Sequence, residues 1–109
     1  GLRSRAEAVA DGGWWGRLVE NAVGGHLLNG LQGPDWSVTY WRDGDREVDF
    51  VVAHGARVWA IEVKSGRPGK SSGLEAFRKL YPQARVWLLG GGGLKLEEFF
   101  ARPAPDWFA

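Results

Sequence analysis

Cysteine is absent from this chain of 109 residues. That excludes a disulfide frame and a thiolate metal site. It fits a reducing compartment, and the cytoplasm is the expected location. No apolar run is long enough to span a bilayer, and no signal-peptide pattern is present, so no membrane partner is expected. Histidine is scarce. His26 and His54 have no serine at recognisable spacing, and both are read as structural. The chain also lacks a strong net charge, at +1, which alone favours no polyanionic partner. No internal repeat is visible.

What remains is material for one domain. The chain is 44% hydrophobic with 7 Trp, enough for a single core, and its 17 Gly mark many turns. Trp14, Trp36 and Trp41 suit either core packing or stacking on bases. The chain begins at Gly1 rather than Met, so a piece of a longer protein is expected. Residues 1–12 read as a leader or the tail of a preceding domain, 13–102 as the domain, and 103–109 as a C-terminal tail.

Residues 14–31 show helical spacing, with Trp15, Leu18, Val19, Ala22, Val23, His26 and Leu27 on one side. Glu20 lies at the edge of that stripe, within reach of the rim of a sheet. Ser37–Arg42 is a strand candidate, and Asp43-Gly44 signals a hairpin into Arg46–Ala53. Arg57–Lys64 follows after His54-Gly55-Ala56. Ser65–Gly73 reads as a loop. Ser72–Tyr81 reads as a helix with Leu74, Phe77, Leu80 and Tyr81 inward, stopped before Pro82. Ala84–Leu89 is nearly all apolar, as a buried strand should be. Gly90–Gly93 turns the chain, and Leu94–Phe100 is a short final helix. The last strand follows a crossover helix and should run parallel to the third by a right-handed connection.

The second and third strands carry the chemistry. A two-residue loop at Gly55-Ala56 sets Asp49 opposite Glu62; a loop at His54-Gly55 keeps the same face parity, whereas a three-residue loop would put apolar residues on the face of the charges. In the two-residue register one face holds Val48, Phe50, Val52, Trp59, Ile61 and Val63. The other holds Asp49, Val51, Ala53, Val58, Ala60, Glu62 and Lys64. Two carboxylates from adjacent strands can bind Mg²⁺ or Mn²⁺ through oxygen, leaving waters in place. Lys64, two residues past Glu62, points the same way and could hold a phosphate or orient a water. An ordinary cross-strand salt bridge explains the same residues.

Charge distribution adds a second signal. Residues 64–85 carry Lys64, Arg67, Lys70, Arg78, Lys79 and Arg85 against Glu75, a local charge of +5. Residues 1–63 hold 6 basic and 9 acidic residues. A basic block that begins at the proposed metal site is where a phosphate backbone would be met, although a solvated loop and helix face has the same composition. Gly66-Arg67-Pro68-Gly69-Lys70-Ser71 is not a nucleotide loop: Lys64 stands where the pattern G-x-x-x-x-G-K-[ST] needs its first glycine.

Helix, three-strand meander, helix and strand, with Asp49 on the second strand and Glu62-Val63-Lys64 on the third, resembles the PD-(D/E)XK nuclease core. More narrowly, Gly16-Arg17-Leu18-Val19-Glu20-Asn21, Tyr40-Trp41-Arg42-Asp43, Glu47-Val48-Asp49-Phe50-Val51 and Ile61-Glu62-Val63-Lys64-Ser65-Gly66 resemble a domain of unknown function. That domain forms the C-terminal part of predicted prokaryotic ATPases of the AAA class. The resemblance covers roughly residues 14–100.

The resemblance implies an α/β, restriction-endonuclease-like core, a mixed sheet flanked by helices, with an ATPase domain upstream in the same native chain. It implies a metal set of Glu20, Asp49, Glu62 and the carbonyl of Val63, with Asp49, Glu62 and Lys64 catalytic. One departure stands out: Val48 replaces the proline that gives the superfamily its name. The expected activity is metal-dependent hydrolysis of DNA phosphodiesters, with DNA met by Lys64, Arg67, Lys70, Arg78 and Lys79. Two alternatives share the fold: a catalytically idle module that docks on DNA or a protein, and an oligomerisation cap burying exposed Trp residues in a homo-oligomer.

Overall fold

The computed structural model describes residues 12–64 and 72–108. Residues 1–11 of the expected leader, 1–12, and residues 65–71 of the expected loop Ser65–Gly73, with Arg67 and Lys70, lie outside the described residues. Helix α1 spans Gly12–Gly30. Val19, Val23 and Leu27, four residues apart, form its buried stripe, and Leu31 continues it. Leu18 and Ala22, expected on that side, are exposed instead. With Trp15, Leu96 and Phe100 they line a shallow apolar cleft.

Strands β1 (Trp36–Asp43), β2 (Arg46–His54) and β3 (Arg57–Val63) form an antiparallel meander, and β4 (Arg85–Leu89) runs parallel to β3. The sheet order is β1-β2-β3-β4, a mixed four-stranded sheet. The β2–β3 hairpin closes at His54↔Arg57 through Gly55-Ala56, the expected two-residue loop. Gly55 has φ +61, which a hairpin turn of this length demands and glycine meets without strain.

The sheet is covered on both faces. Val52, Trp59, Ile61 and Val63 pack with α1, Leu89, Phe99 and Phe108. On the reverse face Val48 and Ala60 pack with Leu74 and Phe77 of helix α2 (Ser72–Leu80) and with Ala84. Strict alternation puts Val48 on the first face, and the structure puts it on the second. The reason is a β-bulge. The β1–β2 register shifts between Thr39↔Val51 and Trp41↔Val48, so Asp49 and Phe50 together oppose Tyr40. One extra residue in a strand reverses the facing of everything beyond it.

Two further expectations need correction. Leu80 and Tyr81 do not point inward; they are 60% and 50% exposed. The chain turns at Tyr81, whose carbonyl accepts from the Ala84 N–H at 3.0 Å, and Ala84 enters the core in their place. The segment read as a C-terminal tail is packed. After the short helix α3 (Leu96–Phe100), residues Ala104–Phe108 form a 3-10 helix with Ala104 and Phe108 buried. Among the described residues no helix is long and apolar enough to cross a membrane.

Candidate functional site

The site forms where the β2–β3 ladder stops. Its last pair is Phe50↔Ile61. Asp49 and Glu62 are the next residues on each strand, beyond the ladder. There the Val63 N–H donates to Asp49 Oδ2 at 2.8 Å, so a side-chain carboxylate takes a donor freed by the end of the ladder. The bulge at Asp49-Phe50 is the local cause: it ends regular pairing and re-aims the residues beside it.

Glu20 of α1 meets Asp49. Burial, followed by the Asp49 charge, a hydrogen bond to Asp49 and the Glu47 charge, pushes its pKa from 4.5 to about 7. Burial and the neighbouring carboxylate both disfavour the ionised form, so below about pH 7 the protonated Glu20 carboxyl is favoured and can donate a hydrogen bond to Asp49. Glu47 was not anticipated. It is exposed, bound to Arg42 Nε at 3.3 Å, and adds its charge from the rim. Its one sequence cue is its position two residues before Asp49.

Glu62 and Lys64 form the other half. Lys64 Nζ lies 3.7 Å from Glu62 Oε1, with side chains only 22% and 13% exposed. Lys64 N–H donates to the Leu89 carbonyl at 2.7 Å, tying the end of β3 to the end of β4. The expected residues therefore lie at one end of the sheet as two pairs, Glu20–Asp49 and Glu62–Lys64. Among the described residues no three Asp, Glu, His or Cys side chains are grouped to hold a metal. Of the basic block, Arg78 and Lys79 are exposed on the last turn of α2.

The histidines take structural places. His26 Nε2 lies 2.7 Å from the Arg102 carbonyl, and His54 stacks on Trp36 at 3.8 Å. Trp41 sits edge-on to Phe77 in the second core cluster.

The Glu20 proton gives a pH dependence. A folded-state pKa raised above the unfolded value means that the folded chain binds more protons between the two. In metal-free buffer, stability is expected to fall as pH rises from about 4.5 to about 7, then to level off. Glu20→Gln should flatten that decline. Urea midpoints across this range, with a chelator present, measure it; an unchanged slope in the variant would assign the effect to other groups.

A search of curated proteins finds no match. Among solved structures, the crystal structure of protein VC1899 from Vibrio cholerae is similar, at 24% sequence identity and a TM-score of 0.41. The match covers 96% of this chain and 30% of that one, so this chain spans less than a third of that protein's length. A domain family matches over residues 15–104, most of the chain, and the protein belongs to that family, described as "Domain of unknown function (DUF4143)".

Proposed function

We propose that this chain is a metal-dependent nuclease-like module of restriction-endonuclease-like fold. It acts on DNA phosphodiesters and is attached to an AAA-class ATPase in the native protein. The observation that carries this reading is the juxtaposition of Glu20 with Asp49, each a carboxylate, at the same sheet end as the half-buried Glu62–Lys64 pair.

The donors suit a hard divalent cation. They are all oxygen, and after burial the nearby charges of Asp49 and Glu47 help to raise the pKa of Glu20. Mg²⁺ usually keeps several waters and needs one or two carboxylates besides its substrate phosphates, so the Glu20–Asp49 pair suffices in kind. Asp49 and Glu20 would hold the ion, with Glu62 and the Val63 carbonyl as the further donors that the resemblance implies. When bound, the cation supplies Lewis acidity at the phosphoryl group.

The chain's own residues do the rest. The Val63 N–H fixes the orientation of the Asp49 carboxylate. Glu62 holds the Lys64 ammonium. Lys64 places positive charge where negative charge develops during attack on phosphorus. Arg78 and Lys79 offer exposed charge to the DNA backbone.

One observation favours the second reading, an idle module that docks on DNA or protein. Glu62 is engaged by Lys64 and is not grouped with Glu20 and Asp49.

Thermal denaturation with Mg²⁺ or Mn²⁺ tests the metal site. An ion that binds only the folded state stabilises by about 2.7 kcal/mol at a hundred times its Kd, and the melting temperature should rise accordingly. Asp49→Ala should abolish that rise. No shift with either ion, or a shift that survives in Asp49→Ala, sinks the proposed site.

A further inference from the structure

We infer that the glycine turn after β4 is a positioning element for Lys64, with Gly91 setting where the lysine stem lies. The functional consequence rests on the proposed role of Lys64; the positioning does not. Four consecutive glycines after a buried strand would serve merely to turn the chain if they faced open solvent. Two of them face Lys64 instead. A Cβ at Gly90 would strike the Lys64 carbonyl oxygen. A Cβ at Gly91 would lie 2.7 Å from Lys64 Cβ and 3.2 Å from Cγ.

The first of those distances is below any normal carbon contact, and Cβ is fixed to the backbone. Relief therefore cannot come from rotating the lysine tip. It needs movement of the end of β3 or of the turn itself. The turn is held: Gly90 N–H donates to the Leu94 carbonyl at 2.7 Å, and Gly93 N–H to the Gly90 carbonyl at 3.0 Å. The Lys64 backbone is held too, through its N–H on the Leu89 carbonyl. The bare Gly91 backbone thus walls one side of the Lys64 stem, while the Glu62 carboxylate holds the ammonium at 3.7 Å. A lysine has several rotatable bonds and loses entropy when fixed. A flat wall and an anion together restrict it to one direction.

Gly92 supplies the control. Its φ is +97, so a side chain there is strained, yet nothing lies within 4 Å of an added Cβ. Gly91 has φ +57, a region that L residues enter more readily. Backbone strain alone therefore predicts that Gly92→Ala is the more damaging change. Positioning of Lys64 predicts the reverse for every readout at the lysine.

The experiment uses the 109-residue chain with carbon-13-labelled lysine, the Lys64 side-chain signal being assigned by its loss in Lys64→Arg. Gly91→Ala should shift the Lys64 Cε–Hε cross-peak, and Gly92→Ala should leave it in place. Equal shifts in both variants, or none in Gly91→Ala, overturn the inference. If Gly91→Ala does not fold, the unsubstituted protein decides: nuclear Overhauser contacts from Gly91 Hα to Lys64 Hβ and Hγ are expected, and their absence overturns it. Where the unsubstituted chain cleaves DNA with Mn²⁺, Gly91→Ala should lower kcat about 100-fold, as misplacement by about 1 Å can do, with KM little changed. If that chain does not cleave, the nuclease reading fails, and the spectra still decide whether Gly91 positions Lys64.

Discussion

Phe108→Ala is expected to destabilise the domain by about 3–5 kcal/mol, a large share of the stability of a domain of this size. Phe108 is 2% exposed. Its ring stacks on Trp87 at 5.0 Å and meets Trp59 edge-on at 5.1 Å and Trp36 at 6.1 Å. Three strands thus send a tryptophan to one phenylalanine: β1, β3 and β4. Truncation leaves a cavity lined by indoles too rigid to collapse into it, which is the costly case. A chain stopped at Arg102 should lose as much. It also loses buried Ala104 and the Trp107 Nε1–H bond to the Phe99 carbonyl at 3.0 Å. Exposed Asp106→Ala, two residues from Phe108, should change stability by about 0.5 kcal/mol or less. Urea denaturation followed by near-ultraviolet circular dichroism reads all three. Native-like stability of Phe108→Ala would mean that the 3-10 helix is an appendage and that the aromatic contacts are incidental.

That helix also shows where the sequence was opaque. Pro-Ala-Pro-Asp-Trp-Phe has neither helical nor strand periodicity, and so short a segment is too brief to display one. The cue was compositional: two adjacent aromatics, Trp107 and Phe108, are costly to leave in water. By contrast, the two strands of the β2–β3 hairpin were legible to within one residue at each end. Val, Ile and aromatic content marked both strands, and a glycine turn of fixed length sets the register. The crossover to a parallel β4 followed from the intervening helix.

Val48 was not legible. A bulge in β2 is a property of its pairing with β1, and Val-Asp-Phe-Val-Val read alone does not mark one. The same bulge shapes the site. Helix phase placed Glu20 at the edge of the α1 stripe, and in the structure it reaches Asp49. The sequence put Asp49, Glu62 and Lys64 on one face of two adjacent strands. It could not show that the ladder would stop there and hand the Val63 N–H to the Asp49 carboxylate. Nor could it show the approach of Gly91 to Lys64, a contact between the ends of β3 and β4 that no local pattern encodes.

Lys64→Ala should separate cleavage from binding. Lys64 is a half-buried ammonium beside Glu62, within a sheet end that also carries Glu20 and Asp49. A fixed charge at the point where phosphoryl charge develops acts chiefly in the transition state, so its removal should lower the rate about 100- to 1,000-fold. As a phosphate contact it is one among several, and its loss should reduce the salt slope of duplex binding by about one unit or less. Lys64→Arg preserves the charge but brings a planar fork to a site shaped around a lysine stem, so its rate should fall between the two. Single-turnover cleavage of duplex DNA with Mn²⁺, paired with fluorescence anisotropy at several salt concentrations, reads both effects. Equal losses of binding and rate would make Lys64 a binding residue alone. Binding by the unsubstituted chain with no metal-dependent cleavage would establish the idle module. In that case the Glu62–Lys64 pair is a structural ion pair, and Lys64→Ala should register as lost stability, leaving Glu62 as a partly buried charge without its ammonium.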